Sequence, residues 1–385
     1  MRKAGQVGLW LVLVVASWMP VSAMAQDGPP ESPPSRIESD PALSAASEAW
    51  HAAWRKDVQA YLRTVAARGM PRDLLIAGWL WPVESDDTSR PEDVAAANEQ
   101  ARLWIQAAYD TARGDDALVD WALLEVCRMT GATCDRAQLL QRLVSADPGN
   151  AEVLLAAYQD AVERRDTAAA ERYWQAAAAG THYHPRINAL GTLMVSALRQ
   201  APAPALDPAL AAAIGEDIQL GRDATPRDMA DIVVMARNSA VAVPTLVPIR
   251  QRCTAQVGAI PPATRLACKR IYTLLANDET TLITSMLSLP RLVEWAETDA
   301  ERDAARERLR RFAWVYESLH RLDDPSAPEQ KVPGDYIDVL FRDGEFAALR
   351  LRLEINGIPT EPPSGWLPEH PGWRALLTGA QSRDP

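Results

Sequence analysis

The stretch Asp147 to Ala178, DPGNAEVLLAAYQDAVERRDTAAAERYWQAAA, decides how this 385-residue chain is read. Asp-Pro-Gly-Asn is a cluster of turn formers, and the segment after it is rich in Ala, Leu, Glu and Arg, residues that favour a helix. The pattern predicts two helices, Ala151 to Arg164 and Thr167 to Ala178, folded back on one another as a hairpin.

The same design extends in both directions. Towards the N-terminus, Asp135 to Ala146 and Ala117 to Met129 form the preceding pair, and Val94 to Ala112 carries Trp104, Ile105 and Ala108 before a Gly114-Asp115-Asp116 turn. Trp50, Trp54, Val58, Tyr61, Leu62 and Val65 recur at i, i+4, i+8, i+11, i+12 and i+15, one stripe of a helix that Gly69 ends. Pro71 sits where a first-turn proline is tolerated, and Leu74 to Trp81 gives a shorter helix. Towards the C-terminus, the Pro-, Ala- and Gly-rich stretch 201–226 predicts an irregular connection. Helices resume over Pro226 to Ser239, Val243 to Val257, Thr264 to Ala276, Thr280 to Leu287 and Ala300 to Leu322, with one or two more in Tyr336 to Gly357. Beyond Gly357, Pro359, Pro362, Pro363 and Pro368 are too closely spaced for regular helix. This tail is expected to lie extended in grooves of the body, with Trp366 and Trp373 as anchors. No run alternates with β-branched residues, so the fold class is all-α.

Asp147-Pro148-Gly149-Asn150-Ala151-Glu152 is similar to the linker between tetratricopeptide (TPR) repeats. The helix starts at Ala117 and Ala151 lie 34 positions apart, the TPR period. Leu154 and Ala157 stand at the family's first large and small positions, and Ala170, Trp174 and Ala177 at its Ala, aromatic and Ala of the second helix. The chain also resembles secreted bacterial proteins that combine degenerate repeats of this kind with paired cysteines. The resemblance implies an α-solenoid of helical hairpins and brings no activity with it.

Arg2 and Lys3 precede an apolar run, Leu9 to Met19, of about a dozen residues, the length of a signal-peptide core and short of the roughly 20 that a spanning helix needs. Ala23-Met24-Ala25 supplies the small-x-small pattern of a cleavage site, so cleavage is expected after Ala25 and the mature protein is expected in the periplasm, with secretion beyond the outer membrane as the alternative. The organisation read from the sequence is a signal peptide over 1–25, a disordered Pro-rich leader over 26–41, TPR-like hairpins over 42–200, a connection over 201–226, a second helical block over 227–356 and the tail over 357–385. With a formal net charge of −11, the chain is a poor ligand for nucleic acid or an anionic membrane, whose binding draws on Lys and Arg. No apolar stretch of the mature chain is long enough to span a bilayer.

Four cysteines fall into two sequence-local pairs, and an oxidising compartment lets both close. Cys127 is expected to bond Cys134, and Cys253 to bond Cys268. Structural zinc sites usually carry two tight Cys-x-x-Cys knuckles, and these spacings are wider.

Candidate chemistry is sparse. Glu48-Ala-Trp-His51 and Glu317-Ser-Leu-His320 each place a carboxylate and an imidazole on one helix face, half of a carboxylate-bridged di-iron site if the two pairs meet. Each His also adjoins an apolar stripe, as a histidine at the core boundary would. His182-Tyr183-His184 could chelate a transition metal if carboxylates converge on it, or could be an ordinary loop after a helix. The run Arg302, Arg306, Arg308, Arg310 and Arg311, interleaved with Glu301, Asp303 and Glu307, reads as a solvated helix face. Nucleophile, zincin and phosphate-loop motifs are missing from the sequence. The expectation is a non-enzymatic periplasmic interaction or scaffold protein, without cofactor, that binds a peptide or protein partner on a helical-repeat surface. The alternative is a cell-envelope enzyme or metal-binding protein using His182 and His184 or the Glu-x-x-His pairs.

Overall fold

A computed structural model describes residues 35–81, 90–130, 134–218, 220–239, 246–253, 260–322 and 331–379. The expected signal peptide over 1–25, its expected cleavage site and most of the expected leader lie outside them. Among the described residues every regular element is a helix, and the only β geometry is an isolated bridge between Asn150 and His182. No described helix is long and apolar enough to cross a membrane.

The helices are α1 (Arg36–Ser39), α2 (Pro41–Ala66), α3 (Pro71–Leu80), α4 (Pro91–Ala112), α5 (Ala117–Thr130), α6 (Arg136–Ala146), α7 (Ala151–Glu163), α8 (Thr167–Ala178) and α9 (Ile187–Gln200). They continue as α10 (Pro208–Asp217), α11 (Pro226–Ser239), α12 (Leu246–Cys253), α13 (Pro262–Asn277), α14 (Leu282–Glu294), α15 (Asp299–Leu322), α16 (Tyr336–Asp343), α17 (Glu345–Ile355) and α18 (Pro371–Thr378). Several of their starts are explained by cap chemistry. Asp40, Asp135, Asn150, Asp166 and Asp207 each accept a hydrogen bond from a backbone N–H of the first turn, satisfying donors that have no partner within the helix.

From α2 to α8 each helix packs on the next in sequence. The pattern then changes: α9 returns to α3 and packs on α11 and α16, while α8 continues onto α13. Two large apolar clusters result, beside a small third one of Ala161, Ala169 and Ala170 between α7 and α8. One gathers α2 to α6, α9 to α11 and α16 around Leu190, Met194 and Leu198; the other gathers α12 to α15, α17 and α18 around Ile271, Leu309 and Phe312. Helix α7 serves both, with Val153 and Ala157 in the first cluster and Leu154 and Leu155 in the second.

Four expectations from the sequence need correction. The end of the expected leader is folded: Ser35 and Glu38 form a capping box, and Arg36 pairs with Glu216 of α10 at 2.7 Å. The connection over 201–226 contains α10, because Asp207 caps a helix whose first residue, Pro208, needs no N–H partner. The two clusters do not divide at that connection, since α11 beyond it packs on α9. The tail is irregular only as far as His370, and Pro371–Thr378 is helical, with the His370 ring capping it through Trp373 N.

Both expected disulfides are formed, Cys127–Cys134 and Cys253–Cys268, with Cα atoms 6.1 and 5.9 Å apart.

Candidate functional site

The histidines after α8 belong to a clamp between two loops. Asn150, fully buried, is its centre. Its Oδ1 accepts from Glu152 N and from His184 N, both at 3.1 Å, and its Nδ2 donates to His184 O at 2.9 Å and Asp147 Oδ2 at 3.1 Å. An amide side chain can donate twice and accept twice, and here all four capacities are used. Ala151 N donates to His182 O, and Thr181 N to Gly149 O, each at 2.9 Å. The His182 ring lies between Thr181 Oγ1, at 3.0 Å from Nδ1, and Asp147, whose Oδ1 is 3.2 Å from Nε2. Arg186 reaches the same Asp147 carboxylate at 3.4 Å. The imidazole of His182 is therefore engaged in holding the linker, and the carboxylate nearest to it is shared with a guanidinium.

The two Glu-x-x-His pairs are not brought together. Helix α2, with Glu48 and His51, packs on α1, α3 and α10, whereas α15, with Glu317 and His320, packs on α14, α17 and α18. Glu48 is exposed, and the His51 ring sits edge-on to Trp50 at 5.2 Å. Glu317 is buried and accepts from Glu369 N and His370 N at 2.9 and 3.0 Å, at the start of α18. A carboxylate at a helix N-terminus meets both unpaired amides and the positive end of the helix dipole. The His320 ring lies edge-on to Tyr316, with centroids 4.4 Å apart. Among the described residues no three His, Cys, Asp or Glu side chains form a cluster able to hold a metal ion.

A groove that sequence reasoning missed runs between α9 and α16. It has a volume of about 380 Å³ and offers Val195, Ile337 and Phe341 as apolar wall, with Thr192, Ser196 and Gln200 as polar edge. That volume lies within the range of ligand pockets, roughly 300–1,000 Å³. The two helices approach closely because Gly191 carries no side chain: a Cβ there would meet the Phe341 ring at 2.1 Å. At one end Arg199 binds Asp231 of α11 through two parallel contacts of 2.9 and 2.7 Å and reaches Asp338 of α16 at 2.5 Å, while Arg227 joins Asp338 at 2.9 Å. Burial pushes the Asp231 carboxyl up, against the pull of Arg199. The groove thus couples an apolar floor to hydroxyl and amide groups, and its strongest charges neutralise one another. The residues Thr192, Ser196 and Arg199 stand at i, i+4 and i+7, a polar stripe that marks the groove in the sequence once α9 is recognised as a helix.

A second pair of carboxyls lies where α14 and α17 begin. Asp278 is 5% exposed, and burial pushes it up from 3.8 although Thr280 and Thr284 donate to that residue. Burial likewise pushes Glu345 up from 4.5; its carboxylate accepts from Leu282 N at 2.6 Å, closing the first turn of α14. Gly344 makes this junction possible, with φ of 97° and room for no Cβ against Glu279 O. The pair fastens one helix start to another.

Comparison with known proteins finds no matching family model, no similar curated protein and no similar solved structure.

Proposed function

We propose that this chain is a non-enzymatic periplasmic interaction protein that binds a peptide or protein partner on its helical surface, α2 to α8 being a TPR-like solenoid. The observation that carries the reading is where the candidate chemistry went. Asp147, His182 and His184 hold a linker, Glu317 caps a helix, and the α9–α16 groove offers apolar, hydroxyl and amide groups beside a paired Arg199 and Asp338. The packing of each helix on the next through α8 supports the repeat reading. Two disulfides and the lack of a membrane-crossing helix among the described residues agree with an exported protein.

Crosslinking in cells with mass-spectrometric identification of the products tests it. A reproducible envelope neighbour is expected, and its recovery should drop when Ser196→Trp fills the α9–α16 groove. No reproducible neighbour would count against the reading. Elemental analysis of purified protein is the second test: stoichiometric iron or zinc would replace this proposal with a metal-binding one.

A further inference from the structure

A cavity of about 250 Å³ lies where α12, α13 and α14 meet. Leu246 and Ile249 of α12, Leu275 of α13, and Met286 and Leu287 of α14 give it apolar walls. The Cys253–Cys268 bridge fixes the distance between two of these walls. Cys253 stands one turn beyond Ile249 on α12, and Cys268 one turn before Tyr272 on α13, so bridge and cavity share a face of each helix.

Two polar groups open on this space. Tyr272 lines the cavity and is 3% exposed, yet among the described residues nothing hydrogen-bonds its hydroxyl. The charges that act on that hydroxyl are Arg291 and Glu294, which line the same cavity, so it lies on the cavity side. Burial pushes the phenol up to about 12, so it stays protonated and serves as a neutral donor. Trp295, edge-on to the ring at 5.5 Å, holds it in place. The second group is the carbonyl of Met286. Pro290 stands inside α14, where it has no N–H to give to the carbonyl four residues back and its ring pushes that carbonyl aside. Among the described residues no side chain, and no backbone N–H from outside α14, donates to it. Met286 and Pro290 both line the cavity.

Buried polar groups are rarely left unpaired, and a donor and an acceptor beside apolar walls define their complement. It carries a C=O for Tyr272, an N–H for Met286 and an apolar branch, which together are the main-chain amide and side chain of one residue. The volume falls below the roughly 300–1,000 Å³ of pockets that enclose a free-standing ligand, and it suits one residue of a longer chain. The charged groups stay outside this pairing: Arg291 binds Glu294 at 2.6 Å, and Arg250 is exposed.

We propose that this cavity binds one apolar residue of a partner peptide, with its side chain against Leu246, Ile249 and Leu275 and its amide between the Tyr272 hydroxyl and the Met286 carbonyl. The proposal gives the interaction reading above a binding site and rests on that reading.

The test uses the full chain with isotope-labelled methionine methyl groups, read by NMR, so that Met286 reports from the cavity wall. Met286→Leu assigns its signal. The probe is N-acetyl-leucine methylamide, which is expected to shift that signal saturably with a Kd on the order of millimolar. N-acetylglycine methylamide, which lacks the side chain, should leave it in place. Tyr272→Phe removes only the hydroxyl, and Pro290→Ala returns to the Met286 carbonyl its helical donor. Each should weaken the leucine probe about threefold to tenfold. The proposal is overturned if the leucine probe leaves Met286 unmoved at concentrations about tenfold above that Kd, if the glycine probe matches it, or if both variants bind as wild type does. Should either variant not fold, the two probes compared on wild type decide. In cells, a neighbour captured by P290A as strongly as by wild type would remove this site and leave the interaction reading standing. Probe binding without any cellular neighbour would keep the site and count against that reading.

Discussion

At the scale of single residues, the structure concentrates cost in a few buried polar groups. Asn150→Ala would leave the amides of Glu152 and His184 without their acceptor, and a loss of about 2–4 kcal/mol is expected in urea unfolding. A loss below about 0.5 kcal/mol would show that water takes over the clamp. Asp278 gives a pH-dependent case. Because burial raises its folded value above 3.8, the native state holds this proton more tightly than the unfolded chain does. Its contribution to stability is full below the unfolded value and is lost as pH rises through the folded one. Asp278→Asn is therefore expected to stabilise the protein at about pH 7, with the gain fading towards about pH 3, where the wild-type carboxyl is also neutral. Unfolding curves at both pH values check this, and an equal gain at both would contradict it. Little of this is visible in the sequence. Asp-Pro-Gly-Asn places Asn150 in a turn, where it does lie, but a turn motif does not announce that a later loop will bind its side chain. Asp278 looks like any acid before a helix, and its carboxyl neighbour Glu345, at the start of α17, lies 67 positions further on.

At the scale of elements, the sequence is most informative where structure is local. The disulfides can be paired because each joins neighbours, 7 and 15 residues apart. Replacing Cys253 and Cys268 by Ser should cost about 3 kcal/mol, and the shorter Cys127–Cys134 loop about 2.5 kcal/mol. Denaturant midpoints without reductant measure both, and non-reducing peptide mapping checks the connectivity. The helices from α2 to α8 are legible for the same reason, because each has a local start signal and an apolar stripe. Proline misleads in three places. Pro208 reads as a breaker and is a first-turn residue; Pro290 reads as lying beyond a helix that ends at Leu287, yet α14 runs through it to Glu294; and Pro371 opens α18. Helix α9 is easily overlooked although Leu190, Met194 and Leu198 recur every four residues. The His-Tyr-His-Pro loop before it and the Pro-rich stretch after it draw the reading away, and with them the α9–α16 groove goes unseen.

At the scale of the whole molecule, the long-range ties decide the architecture, and they are the least legible in sequence. Arg199 is one of them, joining α9 to α11 and α16. Arg199→Met leaves Asp231 buried without its guanidinium, and a loss of about 3 kcal/mol is expected at about pH 7. The loss should shrink in acid, where Asp231 is neutral, and urea unfolding at two pH values reads the difference. A penalty that is independent of pH would mean that packing rather than charge is responsible. The interleaving of the clusters also predicts one calorimetric transition, and two resolved transitions would speak against it. The cause is α7. It works as a party wall between two rooms: the same thirteen residues furnish plaster to both sides, so demolishing either room exposes Leu154 and Leu155 or Val153 and Ala157 to the weather. Any truncation that discards one room should aggregate, and evolution can lengthen loops elsewhere far more freely than it can redesign this one partition.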